Sequence, residues 1–309
     1  MRTQFLCFCL YFGRCPVPAT KETVIGYMVF LARTLNPSSI PSYMNIIKLL
    51  HDETGLPNPL AIWELTMVKR GINRCLGRPP RQKLPITLEI LTRIHDTLAL
   101  STNSALAFWA ACLIAFFGFL RKSTLLPKSS KPSDTQKAIL LSDVDVKQDR
   151  SAIVITIRHS KTIQFGQRRL TLPFVAVPGS HLCPVEAIVS MLARLKGAQG
   201  LPSGQPLFSY VSPEKVAQHL THTTFSEMLR SALRSSGINP AEYSGHSFRR
   251  GGCSHAFALG MPAALVKLRG DWRSNAYERY VSITASCHEA MAKALALSAS
   301  SPAMGQEKV

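Results

Sequence analysis

Acidic residues are scarce in this chain of 309 residues, which has 18 Asp and Glu against 36 Lys and Arg. The resulting formal net charge is +18. Because 46% of the residues are hydrophobic, the composition predicts a folded protein and not a chain that is disordered as a whole. Such an excess of positive charge favours a polyanionic partner, with nucleic acid ahead of an anionic membrane surface. A generally basic protein without such a partner is the plainer alternative.

Paired cysteines are also missing. The eight cysteines are scattered, and no two of them have the C-x-x-C spacing of a zinc site. Cys7, Cys9 and Cys15 have no matching Cys or His pair downstream and make a poor metal site. A chain of this length and apolar content does not need disulfides to fold. We therefore expect reduced thiols and an intracellular location, nuclear in a eukaryote and cytoplasmic otherwise.

The apolar runs are too short to cross a membrane. Residues 105–120 form the longer run, which is below the roughly 18–20 residues that a bilayer requires and ends at Arg121. Residues 5–12 form a shorter run without a convincing cleavage region for a signal peptide. Both runs are expected to be buried helices.

The pattern of apolar residues divides the chain into segments. Residues 1–76 predict about four helices, and the basic, proline-containing residues 77–85 predict a linker. A long, mostly helical segment follows over residues 86–300, and residues 301–309 are expected to be a flexible tail. Within residues 138–177 the apolar period shortens, which predicts three short strands joined by polar turns.

Two motifs lie close together in the last third of the chain. The first is Gly-His-Ser-Phe-Arg-Arg-Gly-Gly at residues 245–252, and the second is Gly-Asp-Trp-Arg-Ser-Asn-Ala-Tyr-Glu-Arg-Tyr at residues 270–280. His246 and Arg249 are three residues apart, so on a helix they share a face and can point at one anion. Trp272 and Tyr280 are about two helical turns apart. The pair of motifs suggests a site that handles phosphate.

These motifs resemble those of the tyrosine recombinases, the phage-integrase-like family of DNA strand-transfer enzymes. The resemblance implies a mainly α fold with a small antiparallel three-stranded sheet, arranged as a two-domain clamp on DNA. On this basis residues 1–76 would be the helical core-binding domain and residues 86–300 the catalytic domain. The amino-acid sequence of the two motifs is most similar to that of recombinases from eukaryotic mobile elements.

The resemblance also implies a set of catalytic residues: Arg121, Lys161, His246, Arg249, Trp272 and Tyr280. In this family two arginines hold the scissile phosphate, a lysine in a β-turn protonates the departing 5′ oxygen, and a tyrosine is the nucleophile. The His would act as a hydrogen-bond donor or proton shuttle, and the Trp would donate its indole N–H to the phosphate. Tyr277 is the competitor for the nucleophile, and Lys147 and Lys137 are alternatives to the lysine.

One departure from the family pattern is clear, because Thr124 stands where the family often has an acidic residue. That carboxylate mostly supports the arginine, so the chemistry is still expected.

Other basic residues are expected to contact the DNA backbone: Lys48, Lys69, Arg70, Arg74, Arg78, Arg81, Lys83 and Arg250. For the three in the linker, ordinary exposure to solvent is the alternative interpretation.

Taken together, the residues and the resemblance predict a site-specific recombinase or integrase that acts on double-stranded DNA through a 3′-phosphotyrosyl intermediate. The family resemblance implies a homo-oligomer on DNA, a tetramer, with no metal or nucleotide cofactor and no membrane partner. Two alternatives remain at this point. One is a DNA-binding protein derived from a mobile element that no longer recombines, and the other is a type IB topoisomerase.

Overall fold

The computed structural model describes residues 1–77, 82–164, 166–197, 204–280, 292–293 and 296, without the side chains of Lys196, Arg279 and Tyr280. The chain divides into two compact units, Met1–Gln82 and Lys83–Val309.

The N-terminal unit consists of four helices, as predicted: α1 (Arg2–Tyr11), α2 (Lys21–Ala32), α3 (Ile40–Glu53) and α4 (Trp63–Leu76). Thr20 caps α2 by accepting a hydrogen bond from the Thr23 N–H. The core contains Phe5 from α1, Tyr27 from α2 and Ile47 from α3, all fully buried. This unit therefore has a hydrophobic core of its own.

Helix α1 is less buried than its sequence predicts. Phe5, Phe8 and Cys9 face the core, whereas Leu10 is 84% exposed and Tyr11 is 83% exposed. The expectation of a buried helix over residues 5–12 was wrong for these positions. A helix that is apolar on all sides gives no indication of which side is covered, and α1 has neighbours on one side only.

The second unit carries eight more helices and five strands among its described residues. The helices are α5 (Leu88–Asp96), α6 (Asn103–Phe117), α7 (Lys122–Leu125), α8 (Pro132–Thr135), α9 (Pro184–Gly197), α10 (His222–Ser235), α11 (Gly245–Ala258) and α12 (Ala263–Arg269). The strands are β1 (Val144–Val146), β2 (Ala152–Ile157), β3 (Leu170–Val175), β4 (Ser209–Val211) and β5 (Ala217–His219).

The three predicted strands are confirmed as one antiparallel sheet in the order β1-β2-β3. Val144 pairs with Ile155, and Ile155 pairs in turn with Leu172, so these residues share the face that packs on the core. The two-stranded sheet of β4 and β5 was not predicted, since the sequence indicated continuous helices in that region. Its strands have three residues each and mixed polarity, which is too short for alternation to be recognised.

Helix α6 is the centre of the second unit. Every residue from Ala105 to Phe116 is buried, which confirms the predicted buried helix. Helix α11 has two glycines where it lies close to other main chain, that of α6 and that of the segment before α5. A Cβ on Gly252 would lie 2.0 Å from the Phe116 carbonyl oxygen, and one on Gly251 would lie 1.7 Å from the Ile86 carbonyl oxygen. The glycine pair therefore permits close packing.

No helix within the described part of the chain is long and apolar enough to span a membrane.

Candidate active site

Arg121 lies just past the end of α6, where the backbone changes direction sharply. Phe119 has a φ of +50°, a backbone conformation that residues other than glycine rarely adopt. The Leu120 N–H donates to the Ala115 carbonyl at 3.0 Å. Arg121 then precedes α7 in an extended conformation, and its carbonyl accepts from the Thr124 N–H at 2.8 Å. Thr124 itself is buried. The turn presents the half-buried Arg121 at the end of the buried helix.

Lys161 lies in the loop that joins β2 to β3, as predicted, and it is exposed. The hydroxyl of Ser160 accepts hydrogen bonds from the backbone N–H groups of Thr162 and Ile163, each at 3.1 Å. Gln164 donates to the Lys161 carbonyl at 2.9 Å. These hydrogen bonds restrain the backbone of residues 160–164 around the lysine.

His246 occupies the first turn of α11. Ser244 caps this helix with its side chain and receives a reciprocal contact, since its N–H donates to the Ser247 hydroxyl at 3.0 Å. Burial lowers the pKa of His246, and the charges of four cations lower it further: Arg121, Arg249, Lys161 and Lys122. Three predicted catalytic cations therefore lie close enough to act on one imidazole.

The lowered pKa has a chemical consequence for His246. A histidine whose pKa lies below its ordinary value is neutral at neutral pH. A neutral imidazole can accept a proton, or donate one hydrogen bond, without adding charge to a site that already holds several cations. This agrees with the predicted role as a proton shuttle.

Arg249 is almost completely buried, with 1% of its surface exposed. Its Nη1 donates to the Phe119 carbonyl, and its Nη2 donates to the Gly270 carbonyl at 2.7 Å. The guanidinium also stacks on the ring of Trp272, 3.8 Å from the ring centroid. The contacts that the structure shows for Arg249 thus fix it to α6 and to the second motif. Its predicted contact with a phosphate stays a prediction.

Trp272 packs in a small apolar cluster with Phe119, Cys253 and Val266. The Tyr277 ring meets it edge-on at 6.1 Å between centroids and stacks on Phe257 at 6.1 Å. Tyr277 belongs to the 3-10 helix Asn275–Tyr280, so Trp272 packs against the segment that also contains Tyr280. Donation from the indole to a phosphate remains untested.

Tyr280 ends a 3-10 helix that spans Asn275–Tyr280. Its side chain lies outside the part of the structure that is described, so its distance from the cations is not defined. Tyr277 is described, and its ring belongs to the apolar cluster beside Trp272.

The residues predicted to contact DNA fall into three groups. Lys48, Lys69, Arg70 and Arg74 are exposed on α3 and α4. Arg78 and Arg81 lie outside the described residues.

The last two basic residues belong to the second unit. Lys83 donates to the Ala241 carbonyl at 2.5 Å, and Arg250 is half-buried on α11.

Two features of the site were missed from the sequence. Lys122 is half-buried, donates to the Ser226 hydroxyl at 2.8 Å, and has its pKa lowered by burial and then by the charge of Arg230. Asp271 has a φ of +55° and binds two residues of the loop that carries Lys161. Neither contact has a local sequence signal, because the partners lie about a hundred residues away. Among the described residues, no group of His, Cys, Asp and Glu is arranged to hold a metal ion.

No family model matches the chain. An integrase/recombinase XerD homolog from Selenomonas ruminantium is 24% identical over 258 residues, which cover 81% of this chain and 69% of the relative. A XerH site-specific recombinase bound to its palindromic difH substrate superposes with a TM-score of 0.58, at 11% identity over 95% of this chain and 76% of that one. The chain has the tyrosine recombinase fold.

A transposon integrase shows the same likeness. A fragment of the Tn1549 integrase in complex with transposon right-end DNA superposes with a TM-score of 0.58, at 14% identity over 92% of this chain and 88% of that one. The fold class and the family resemblance predicted from the motifs are therefore confirmed. The recombinase fold brings Arg121, Lys161, His246 and Arg249 together from three separate segments: the end of α6, the β2–β3 loop and α11.

Proposed function

We propose that this chain is a site-specific DNA recombinase that cuts and rejoins strands of double-stranded DNA through a tyrosyl intermediate. The observation that carries the proposal is the group of cations around His246. Arg121, Lys161 and Arg249 come from the end of α6, the β2–β3 loop and α11, and all three act on the same imidazole. A scissile phosphate gains negative charge in its transition state, and preorganised positive charge stabilises it.

The cleavage step uses five side chains. The Oη of Tyr280 bonds to phosphorus while the bond from phosphorus to the 5′ oxygen breaks. His246, neutral at neutral pH, takes the phenol proton, and Lys161 gives a proton to the departing oxygen. Arg121 and Arg249 stabilise the charge on the phosphoryl oxygens. Rejoining is the same sequence in reverse, with a 5′ hydroxyl as the attacking group.

Binding to DNA is assigned to residues that do not take part in the chemistry. On α4, Arg70 and Arg74 share one exposed side with Trp63 and Met67, since these positions are spaced by three or four residues. Trp63 is 70% exposed and Met67 is 49% exposed. A helix with exposed cations beside apolar groups suits a DNA groove, where phosphates and thymine methyl groups lie close together.

Residues 1–76 would form the core-binding domain and residues 86–300 the catalytic domain. Related structures are recombinases bound to DNA sites, and we propose that this chain likewise acts as a homo-oligomer on DNA, a tetramer. An intracellular compartment with access to DNA, the nucleus in a eukaryote, is part of the same proposal.

Covalent capture on DNA tests the proposal. The protein is incubated with a pool of nicked suicide duplexes, and adducts are resolved on a denaturing gel. We expect an adduct with the wild type and with Tyr277→Phe, which keeps the packed ring, and complete loss of the adduct with Tyr280→Phe.

The other outcomes are equally informative. An adduct that persists in Tyr280→Phe and disappears in Tyr277→Phe would move the nucleophile to Tyr277. Salt-sensitive binding without any adduct, on a pool that contains host-derived sites, would favour a DNA-binding protein that has lost catalysis. Relaxation of supercoiled DNA without a specific site would favour a topoisomerase.

A further inference from the structure

Asp271 connects two parts of the candidate site that are far apart in the chain. Its carboxylate accepts a hydrogen bond from the Thr162 hydroxyl and forms an ion pair with Arg168. Both partners belong to the β2–β3 loop, and Thr162 follows Lys161 directly. The side chain of Asp271 is 13% exposed, so the ion pair is shielded from solvent on the Asp271 side.

A second contact reinforces the same connection. Arg273 donates from its Nη2 to the Thr162 carbonyl at 3.0 Å. The residues on both sides of Trp272 therefore bind the loop of Lys161. Thr162 is held through its hydroxyl and its carbonyl at once, which limits how far the preceding residue can move.

The neighbours of Asp271 in the chain hold Arg249. The Gly270 carbonyl accepts from Arg249 at 2.7 Å, and the Trp272 ring stacks on its guanidinium. Asp271 thus lies in the chain between two groups that fix one catalytic cation, while its own side chain fixes the loop of another. Its φ of +55° is unusual for a residue other than glycine, and this backbone conformation is energetically unfavourable unless the surrounding contacts hold it.

The negative charge of Asp271 is unfavourable near a bound phosphate, so its presence at the site calls for a structural reason. Acidic residues are rare in this chain, and a carboxylate close to bound phosphate would repel it. Its pairing with Arg168 offsets that repulsion and keeps the carboxylate directed at the loop.

We propose that Asp271 is a positioning residue that holds Lys161 where it can protonate the departing 5′ oxygen. This inference rests on the proposed function. In the step concerned, the bond between phosphorus and the 5′ oxygen breaks, and a proton passes from the Lys161 Nζ to that oxygen. Asp271 contacts neither group and acts through Thr162 and Arg168.

The test compares two leaving groups at a site recovered by covalent capture. One substrate has the ordinary phosphodiester, and the other has sulfur in place of the bridging 5′ oxygen. A thiol has a pKa near 8.5, so the sulfur leaves as a thiolate without needing a proton. The variant is Asp271→Asn, which has almost the same shape, tolerates a positive φ and loses the charge.

We expect Asp271→Asn to cleave the oxygen substrate at least tenfold more slowly than the wild type and the sulfur substrate at a rate within about twofold of it. Lys161→Ala should show the same selective rescue, whereas Arg249→Ala should be slow on both substrates. Asp271→Glu, which keeps the charge, should recover part of the rate on oxygen. An equal loss on both substrates, or no loss on either, would overturn the role assigned to Asp271.

A second measurement does not depend on activity. Limited trypsin digestion, followed by mass spectrometry, reports cleavage after Lys161 and Arg168 in the free protein. Asp271→Asn should be cut there several times faster than the wild type, and cleavage after Lys215 in the β4–β5 turn serves as the internal control. Unchanged digestion would refute the tether even if the chain proved not to cleave DNA. Absence of an adduct with the wild type would instead contradict the proposed function.

Discussion

On α4 of the N-terminal unit, Arg70 and Arg74 are exposed, and the helix around them has one buried side. On α11 of the second unit, Arg249 is 1% exposed, donates to two main-chain carbonyls and stacks on an indole ring. These are two different ways of presenting the same side chain. Exposed arginines can adjust to the phosphates of many DNA sequences, whereas a buried arginine has a fixed position.

Under the proposed function, the exposed arginines of α4 bind DNA and the buried Arg249 takes part in the chemistry. Affinity for DNA depends on how many phosphates are neutralised, and small displacements of each cation change it little. Stabilisation of a transition state depends on donors that are already in place before the reaction. The backbone has a positive φ at Phe119, whose carbonyl accepts from Arg249. It has another at Asp271, which lies between the Gly270 carbonyl and the Trp272 ring that also contact Arg249. Both places that hold this side chain therefore have an unusual backbone conformation.

Replacing Arg249 should give the largest effect. Arg249→Ala removes the fixed charge, and we expect single-turnover cleavage to fall about 100-fold or more, which corresponds to about 3 kcal/mol. Arg249→Lys should not restore it, because an ammonium lacks the planar, forked guanidinium that donates to both carbonyls while it stacks on the Trp272 ring. Thermal unfolding should also shift downward in Arg249→Ala, since two buried carbonyls lose their donors.

Arg250→Ala is the matched control for that experiment, because the residue is adjacent on the same helix. Cleavage by bound protein should change far less in Arg250→Ala. If Arg249→Ala and Arg250→Ala slowed cleavage equally, the fixed position of Arg249 would not explain its importance.

Replacing Arg70 and Arg74 should give a smaller effect of a different kind. The double Ala variant should bind DNA more weakly, and the slope of log affinity against log salt should fall by about 2, roughly one for each phosphate contact. Cleavage of saturating DNA should stay near the wild-type rate. Arg2→Ala is a suitable control, because Arg2 pairs with Glu53 at 2.9 Å on the same unit. A slope unaffected by the α4 changes would exclude this side of the helix from the DNA interface.

The smallest predicted effect concerns Gly71, one residue beyond Arg70. A Cβ at this position would meet no atom within 4 Å, and the residue lies inside α4. Gly71→Ala should therefore raise the free energy of unfolding by about 0.5–1 kcal/mol through helix propensity alone. Denaturant unfolding measures it, and a loss of stability would show that α4 needs the freedom of glycine there.

Sequence reasoning succeeded where the signal is local. The four N-terminal helices, the buried α6 and the three strands around the Lys161 loop all follow from apolar spacing. The same reasoning could not anticipate that Arg249 is bound by Phe119, which lies 130 residues away in the chain. It also missed Asp271, whose partners Thr162 and Arg168 precede it by 109 and 103 residues. Contacts between residues so far apart in the chain depend on the packing of several elements, so they cannot be predicted from a single sequence motif.

The close approach of α6 and α11 also bears on how this chain can change over evolutionary time. At Gly252 the main chain of α11 lies against the Phe116 carbonyl of α6, and at Gly251 it lies against the Ile86 carbonyl just before α5, so the position of α11 does not depend on which apolar side chains fill the surrounding core. A side chain at either glycine would instead displace α11 and with it both His246 and Arg249. Substitution is thus restricted by main-chain contact at these two adjacent positions.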